Sequence, residues 1–435
     1  MLYERWRKIA SERRDQLALR DAASGRRWTF GELFAAGDGA PNSDSARFQV
    51  SNSPNQSSAL RSRLAFPQGH SPDFILALLA AWREGKVVCP LEAGQFPPQV
   101  PEPPPACVHL KSTSATTGAA RMAAFTAAQL AADAENIVAT MGLRPDWPNL
   151  AVISMAHSYG FSNLVLPLLL HGIPLVLASS PLPEAVRRAA EGESALTLPA
   201  VPAMWRAWHE ANVIPANVRL AISAGAPLAV DLETTVFQSR GLKLHNFYGS
   251  TECGGIAYDA SGTPRTDAAC AGSPMRNVAL DVSDAGGLVV KSLAVGETYW
   301  PEPQPTLGAG QFQTSDLAEL KDGLVFLRGR ASDQINVAGR KVSPFTIEQV
   351  LAEHPSVTAC LVFGVPDHEA GRTDLPVACV VAAAAVKAEE LRQFLLARLP
   401  AWQVPRDWWF VDSLAANHVG KISRAEWRRR YVERR

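Results

Sequence analysis

The sequence has no excess charge of either sign and no uninterrupted apolar segment long enough to span a membrane. Its 435 residues include 42 Lys plus Arg and 42 Asp plus Glu, so the formal net charge is zero. A protein-wide basic field that would attract nucleic acid is therefore absent. The longest apolar stretch, 164–178, is interrupted by Pro167, His171 and Pro174. We expect neither a nucleic-acid partner nor a membrane span.

Several signatures of other protein classes are also missing. The six cysteines are scattered, and no two have the C-x-x-C spacing of a zinc or redox site. Neither G-x-x-x-x-G-K-[ST] nor G-x-G-x-x-G occurs, which argues against P-loop and dinucleotide-binding proteins. The first eight residues lack the apolar run of a secretory signal. We expect a reducing cytoplasm as the setting.

The hydrophobic pattern predicts an α/β protein with two domains. Apolar strand candidates alternate with helical patterns, which is typical of parallel sheets. The strand candidates are 86–91, 149–154, 173–178, 195–198, 218–223 and 243–247, and the helical patterns include 73–83, 126–141 and 181–191. Short strands and turns follow from about residue 270, and a compact α+β pattern follows residue 330. We predict a large N-terminal domain (1–330) of parallel and mixed sheets with helices and a small β-rich subdomain, and a small α+β C-terminal domain (331–435).

Four short segments could carry chemistry. Residues 112–118 read Ser-Thr-Ser-Ala-Thr-Thr-Gly, a hydroxyl-rich loop whose backbone and side chains could donate to phosphate oxygens. Residues 245–252 read His-Asn-Phe-Tyr-Gly-Ser-Thr-Glu, which could be a nucleotide corner or a strand-to-helix turn with a Ser or Thr cap. Asp316 could accept ribose hydroxyls or be a turn residue, and Lys421 could supply a point charge or be solvated.

Taken in order, these segments resemble the acyl-adenylate-forming superfamily, which includes acyl- and aryl-CoA ligases, peptide-synthetase adenylation domains and luciferases. The resemblance runs from about residue 70 to the C-terminus. Its most specific pieces are Tyr-Gly-Ser-Thr-Glu at 248–252, Gly-Arg-x-x-Asp-Gln-Ile-x-x-x-Gly-Arg-Lys-Val at 329–342 and Gly-Lys-Ile-Ser-Arg at 420–424.

The resemblance implies an ATP-dependent activation of a carboxylic acid, with Mg²⁺ as cofactor and coenzyme A or the phosphopantetheine of an acyl carrier protein as acceptor. It assigns catalytic roles to Lys421, Thr251 and Glu252, with Glu252 also positioning the metal. It assigns ATP binding to Thr113, Ser114, Thr116, Thr117, Gly118, Gly225, Ala226, Pro227, Asn246, Tyr248, Gly249, Asp316 and Arg330.

For the acid, the segment His157-Ser158-Tyr159-Gly160-Phe161 resembles the family motif beside the acyl pocket, so His157 and Phe161 are expected to line that pocket. No carboxylate in this segment could pair with a substrate ammonium, which favours a fatty or aryl acid over an amino acid. The resemblance also implies that the C-terminal domain, which carries Lys421, rotates about a hinge at Ser332 between adenylation and thioester formation.

Three departures from the family pattern leave an alternative open, and one of them is the short region of 111 residues before the hydroxyl-rich loop. The loop has Ala115 in place of Gly and Ala120-Arg121-Met122 in place of Pro-Lys-Gly, and Ser332 replaces the usual Asp or Lys. A catalytically impaired relative that acts as a binding protein is therefore one alternative. A serine hydrolase is the other, since Ala221-Ile222-Ser223-Ala224-Gly225 differs by one residue from the G-x-S-x-G nucleophile elbow.

Overall fold

A computed structural model describes residues 1–38, 63–113, 121–366, 374–383, 385–414 and 423–434. It has a mixed α/β fold with a large N-terminal and a small C-terminal domain, which confirms the predicted fold class. Among the described residues, the buried apolar side chains up to Val325 form clusters separate from those that begin at Ile335. The boundary that we predict after residue 330 lies in this gap.

The strands of the larger domain are β1 (Leu17–Asp21), β2 (Arg27–Thr29), β3 (Leu64–Ala65), β4 (Val87–Val88), β5 (His109–Ser112), β6 (Met122–Phe125), β7 (Asn149–Ala151), β8 (Leu175–Leu177), β9 (Leu196–Ala200), β10 (Val218–Ser223), β11 (Leu244–Ser250), β12 (Gly254–Tyr258), β13 (Cys270–Pro274), β14 (Ala279–Val282), β15 (Gly287–Lys291), β16 (Thr298–Trp300), β17 (Leu307–Gly308), β18 (Gln311–Lys321) and β19 (Leu324–Arg330). Its helices are α1 (Leu2–Glu12), α2 (Phe30–Gly37), α3 (Pro72–Arg83), α4 (Ala127–Met141), α5 (Ser158–Gly160), α6 (Leu166–His171), α7 (Pro183–Ala190), α8 (Pro202–Glu210) and α9 (Val230–Arg240), with a π-helix (Phe161–Val165) between α5 and α6.

The smaller domain contains a 3₁₀-helix (Ala331–Asp333), β20 (Ile335–Val337), β21 (Arg340–Val342), α10 (Pro344–Ala352), β22 (Val357–Pro366), β23 (Asp374–Ala382), α11 (Ala388–Leu396), a second 3₁₀-helix (Ala401–Gln403), β24 (Asp407–Phe410) and α12 (Arg424–Arg434).

The long sheet of the larger domain changes from parallel to antiparallel pairing at β11. Strands β1, β8, β7, β9, β10 and β11 pair in parallel, in that spatial order. From β11 onward the pairing through β12, β13, β19, β18, β15 and β14 is antiparallel. A second sheet has the order β16-β6-β5-β4-β3. In open α/β sheets ligands bind beyond the carboxyl ends of parallel strands, so the ends of β10 and β11 are where a site is expected.

Local sequence signals explain several of these elements. The Thr126 hydroxyl accepts a hydrogen bond from the Gln129 N–H, and the Gln129 side chain accepts one from the Thr126 N–H, so a capping box starts α4. The helix ends at Gly142, whose φ of +66° is a left-handed conformation that glycine adopts without a Cβ clash. The helical prediction for 126–141 is thereby confirmed to within one residue.

Three strand predictions are too long, and one of them is 173–178, where the strand covers only Leu175–Leu177. The segment 86–91 is a continuous strand only at Val87–Val88, and Leu91 adds an isolated bridge to Gln68. The strand is interrupted between them at Pro90, which has no N–H to donate. The segment 149–154 is a strand only to Ala151, after which the Ser154 hydroxyl accepts from the N–H of Ala156 in a turn. The predicted helices and the short strands after residue 270 match the observed elements more closely. No helix in the described ranges is both long and apolar enough to cross a membrane.

Candidate active site

The first part of the candidate site lies where β10 ends beside β11. Ser223, the last residue of β10, is in register with Asn246 of β11. The exposed loop Gly225–Pro227 follows directly, and its turn requires Gly225 at φ +86°. The side-chain amide of Asn246 donates to the Cys270 carbonyl at 3.4 Å. The structure therefore brings the proposed adenine-side residues to one edge of the sheet.

Tyr248, Asp316 and Arg330 form a connected polar group beside that edge. The Tyr248 hydroxyl donates to Asp316 Oδ2 at 2.5 Å, and Arg330 Nε donates to Asp316 Oδ1 at 3.0 Å. Asp316 and Arg330 are register partners on β18 and β19, so the interpretation of Asp316 as a turn residue is wrong. Burial and the Asp316 carboxylate hold the pKa of Tyr248 well above its ordinary value, so its hydroxyl stays a donor.

We expect Asp316→Ala to raise the KM for ATP by about 10–100-fold, because hydrogen bonds to a charged group contribute about 1.5–3 kcal/mol each. ATP-dependent pyrophosphate exchange measures the change. The matched control is Glu319→Ala on the same strand, whose carboxylate pairs with Arg328 at 2.8 Å on the exposed surface. Equal changes in the two variants would contradict a specific role for Asp316.

Thr251 and Glu252 lie in a turn between β11 and β12. The turn leads into another strand, so the alternative of a capped helix start for 245–252 is wrong. The Glu252 carbonyl accepts from the Gly296 N–H at 2.8 Å, and its carboxylate Oε1 accepts from the Tyr299 hydroxyl at 2.9 Å. Burial and the Glu252 charge raise the pKa of Tyr299, which keeps the hydroxyl protonated. Sequence reasoning missed Tyr299.

The hydroxyl-rich loop is closed at its base by a β-hairpin that the sequence did not predict. Ser112 of β5 pairs with Met122 of β6. The N–H and the hydroxyl of Thr113 both donate to the Arg121 carbonyl, at 2.8 and 3.0 Å. The Arg121 guanidinium lies 4.8 Å from the centroid of the Tyr299 ring. The predicted ATP-binding residues Ser114, Thr116, Thr117 and Gly118 lie outside the described residues, as do Ala115 and Ala120.

The proposed acyl-pocket residues occupy different environments. His157 is half-buried and immediately precedes α5. Phe161 is only 1% exposed, and its ring centroid lies 4.3 Å from that of the fully buried His109. Burial, with the charge of Lys111, holds the pKa of His109 well below its ordinary value, so this imidazole is neutral. Phe161 is therefore a core residue behind the site as well as a member of the motif.

A buried ion pair next to this motif was not found from the sequence. Lys111 Nζ lies 3.6 Å from Asp133 Oδ2, and the Ser162 hydroxyl donates to the same Asp133 oxygen at 2.6 Å. Lys111 Nζ also donates to the Ser162 hydroxyl at 3.2 Å. The position of Asp133 in α4 could have indicated this ion pair. Asp133 lies on the apolar face of the helix with Leu130 and Ile137, where a buried carboxylate needs a partner.

The hinge candidate Ser332 lies in the 3₁₀-helix that follows β19, and its hydroxyl donates to Asp333 Oδ1 at 3.2 Å. Asp333 Oδ2 also accepts from Arg424 Nε at 3.2 Å, and Arg424 is ion-paired with Glu348. The start of α12 is thus attached to the segment that follows Arg330. Lys421, which precedes Arg424 by three residues, lies outside the described residues.

Ser223 does not have the environment of a hydrolase nucleophile. It ends strand β10 with no exposed surface, and within the described part of the chain its hydroxyl has no hydrogen-bond partner. A nucleophile elbow presents its serine on an exposed turn within reach of a histidine base. The hydrolase alternative is therefore not supported.

Comparison with known proteins decides the family. Residues 92–308 match the family described as AMP-binding enzyme, and residues 346–421 match the AMP-binding enzyme C-terminal domain. The chain is 30% identical over 393 residues to a feruloyl-CoA synthase from an Amycolatopsis species, covering 83% of this chain and 78% of that protein. The chain belongs to the AMP-binding, adenylate-forming enzyme family.

Within this family the chain belongs with the AMP-forming acid–thiol ligases, which use ATP as a substrate. A fatty acid–[acyl-carrier-protein] ligase from Streptomyces coeruleorubidus is 33% identical over 235 residues, 49% of this chain and 45% of that protein. The o-succinylbenzoate CoA synthetase of Bacillus subtilis, solved with its acyl-adenylate intermediate, has the same fold, with a TM-score of 0.79 and 20% identity over 97% of both chains.

Proposed function

We propose that this AMP-binding enzyme joins a carboxylic acid to ATP, forming an acyl-adenylate and pyrophosphate. It then transfers the acyl group to the thiol of coenzyme A or a carrier-protein phosphopantetheine, with release of AMP. The observation that carries the proposal is the Tyr248–Asp316–Arg330 group, which lies next to the ends of β10 and β11. A flat base and a ribose fit an aromatic side chain beside a carboxylate.

The geometry of Asp316 leaves room for a ribose. A carboxylate offers about four lone-pair positions, and Tyr248 and Arg330 use one on each oxygen. Two positions therefore remain for two ribose hydroxyls. In this proposal the adenine lies between the Gly225–Pro227 loop and Tyr248, and Asn246 reaches its edge.

The turn that contains Thr251 and Glu252 carries side chains that could bind the phosphates of ATP. Mg²⁺ in nucleotide sites is commonly held by one or two carboxylates together with substrate phosphates. The described residues contain no cluster of three or more His, Cys, Asp or Glu side chains that could bind a metal alone. Glu252, a half-exposed carboxylate, fits a metal shared with phosphate, and Mg²⁺ there would neutralise charge on the departing pyrophosphate. Thr251 would contact the phosphates.

Charge repulsion between two anions is the main barrier to adenylation. The acid carboxylate must approach the α-phosphate in line, so orientation and positive charge are what the protein supplies. Lys421 would bridge the carboxylate and the α-phosphate. The C-terminal domain would then rotate at Ser332 and remove Lys421, which lets a thiol reach the adenylate.

The acid is proposed to be fatty or aryl rather than an amino acid. The segment 157–161 supplies no carboxylate to pair with an ammonium group. The names of two relatives, a feruloyl-CoA synthase and a fatty acid–[acyl-carrier-protein] ligase, agree with this class of acid and with either acceptor.

The test is carboxylate-dependent ATP–pyrophosphate exchange with matched panels of fatty, aryl and amino acids. We expect exchange with at least one fatty or aryl acid and none with amino acids. Thermal shift with ATP, run on the same preparation, separates the outcomes. ATP binding without exchange with any acid would favour an impaired relative, and exchange limited to amino acids would overturn the acid class.

A further inference from the structure

Tyr299 connects two segments of the proposed phosphate end that are far apart in the sequence. Its hydroxyl donates to Glu252 Oε1 at 2.9 Å. The centroid of its ring lies 4.8 Å from the Arg121 guanidinium carbon. Arg121 directly precedes β6 and Glu252 lies in the turn between β11 and β12, so one side chain contacts both segments.

The backbone fixes Tyr299 in this place. It lies on β16 in register with Ala123 of β6, the strand that leaves the loop. Just before β16, the Glu297 N–H donates to the Ala124 carbonyl at 2.8 Å, and the Gly296 N–H donates to the Glu252 carbonyl at 2.8 Å. Tyr299 is therefore anchored both to the loop hairpin and to the turn that presents the Glu252 carboxylate.

Each contact has a consequence for the site. The hydroxyl occupies Oε1 of Glu252, which fixes the rotation of the carboxylate and leaves Oε2 for another partner. A planar guanidinium can lie flat on an aromatic ring, whereas a lysine ammonium is a compact point charge. The arginine at 121, a departure from the family pattern, is therefore matched by the ring of Tyr299.

We propose that Tyr299 is a positioning residue of the nucleotide site: it orients the Glu252 carboxylate toward a divalent cation on the ATP phosphates and holds the Arg121 guanidinium against its ring, directly before β6. This rests on the proposed function. Carboxylates that bind a metal are commonly oriented by such hydrogen bonds from neighbouring residues. Loss of one of these hydrogen bonds typically lowers metal affinity or activity by about 10–100-fold.

The test is Tyr299→Phe, which removes the hydroxyl but keeps the ring over Arg121 and the strand pairing. Binding of Mn²⁺ in the presence of saturating ATP, followed by electron paramagnetic resonance without any acid substrate, reads the cation site directly. We expect Mn²⁺ affinity to fall by about 10–100-fold. The KM for the acid in pyrophosphate exchange should stay unchanged.

The matched control is Tyr3→Phe, which removes a hydroxyl that donates to Asp38 at 2.7 Å on the exposed surface, and it should leave both readouts unchanged. A second variant, Tyr299→Leu, removes the ring as well and should raise the KM for ATP beyond the value of Tyr299→Phe.

Wild-type Mn²⁺ affinity in folded Tyr299→Phe would overturn this inference alone. A wild type that neither binds Mn²⁺ with ATP nor exchanges pyrophosphate would overturn the proposed function and this inference together.

Discussion

Replacing Lys421 by alanine is expected to lower ATP–pyrophosphate exchange by about 10²–10³-fold, the usual cost of removing one preorganised group that stabilises transition-state charge. The reason is electrostatic, because the acid carboxylate and the α-phosphate are both anionic and a single ammonium between them offsets their repulsion. Exchange is measured with the acid identified in the panel. Three residues downstream of this position, Arg424 contacts Asp333 and Glu348.

A supplied acyl-adenylate separates the two half-reactions of this variant. We expect Lys421→Ala to convert that adenylate to thioester at close to the wild-type rate, because the lysine is proposed to act only in adenylation. The control is Lys387→Ala, which removes an exposed lysine of the same domain. Equal losses in both half-reactions would indicate a folding defect or a different role for Lys421.

The parts of the fold that the sequence predicted are those with strong local signals. The capping box at Thr126 and the glycine at 142 mark both ends of α4. Strand β6 was missed because Met-Ala-Ala-Phe has little intrinsic strand preference. It is a strand because β5 and β16 pair with it on either side. Pairing between distant segments overrides local propensity, and a single sequence does not reveal it.

The same distinction applies to the site. Tyr248, Asp316 and Arg330 were predicted because each lies in a recognisable motif, and the structure brings them within hydrogen-bond distance. Tyr299 lies in no such motif and contacts Glu252 across 47 positions. Residues of this kind become visible only when the strand pairing is known, since their partners are set by tertiary contacts.

A buried network of charges supports the adenine side of the site. Glu233 on α9 has no exposed surface, accepts from the N–H and the Nε of Arg265 at 2.8 and 2.9 Å, and is ion-paired with Lys243. Lys243 also donates to Asp259 at 2.6 Å. The two positive and two negative groups balance one another. Arg265 in turn donates to the Leu228 carbonyl at 2.8 Å, directly after the Gly225–Pro227 loop.

Glu233→Ala is expected to lower the free energy of unfolding by about 3–5 kcal/mol, because removing one member of a buried ion pair leaves its partners uncompensated in a poorly solvated environment. Here one substitution leaves Lys243 and Arg265 with only Asp259 to balance them. Urea unfolding followed by tryptophan fluorescence measures the loss. Glu233→Gln, which keeps the hydrogen-bond acceptor but not the charge, should fall between the wild type and the alanine variant.

We expect Glu233→Ala to affect ATP binding as well as stability. Arg265, which Glu233 holds in place, contacts the segments on both sides of the proposed adenine site. Arg265 Nη1 donates to the Cys270 carbonyl at 2.6 Å, and that carbonyl also accepts from the Asn246 amide. We therefore expect Glu233→Ala to weaken ATP binding even where the protein remains folded. The control is Glu184→Ala on α7, which removes an exposed carboxylate held by Arg187 and Arg188, and it should change neither quantity measurably. An alanine variant at 233 as stable as the one at 184 would mean that the buried charges are solvated by water that enters the domain, and the network would then have no role in holding the adenine side together.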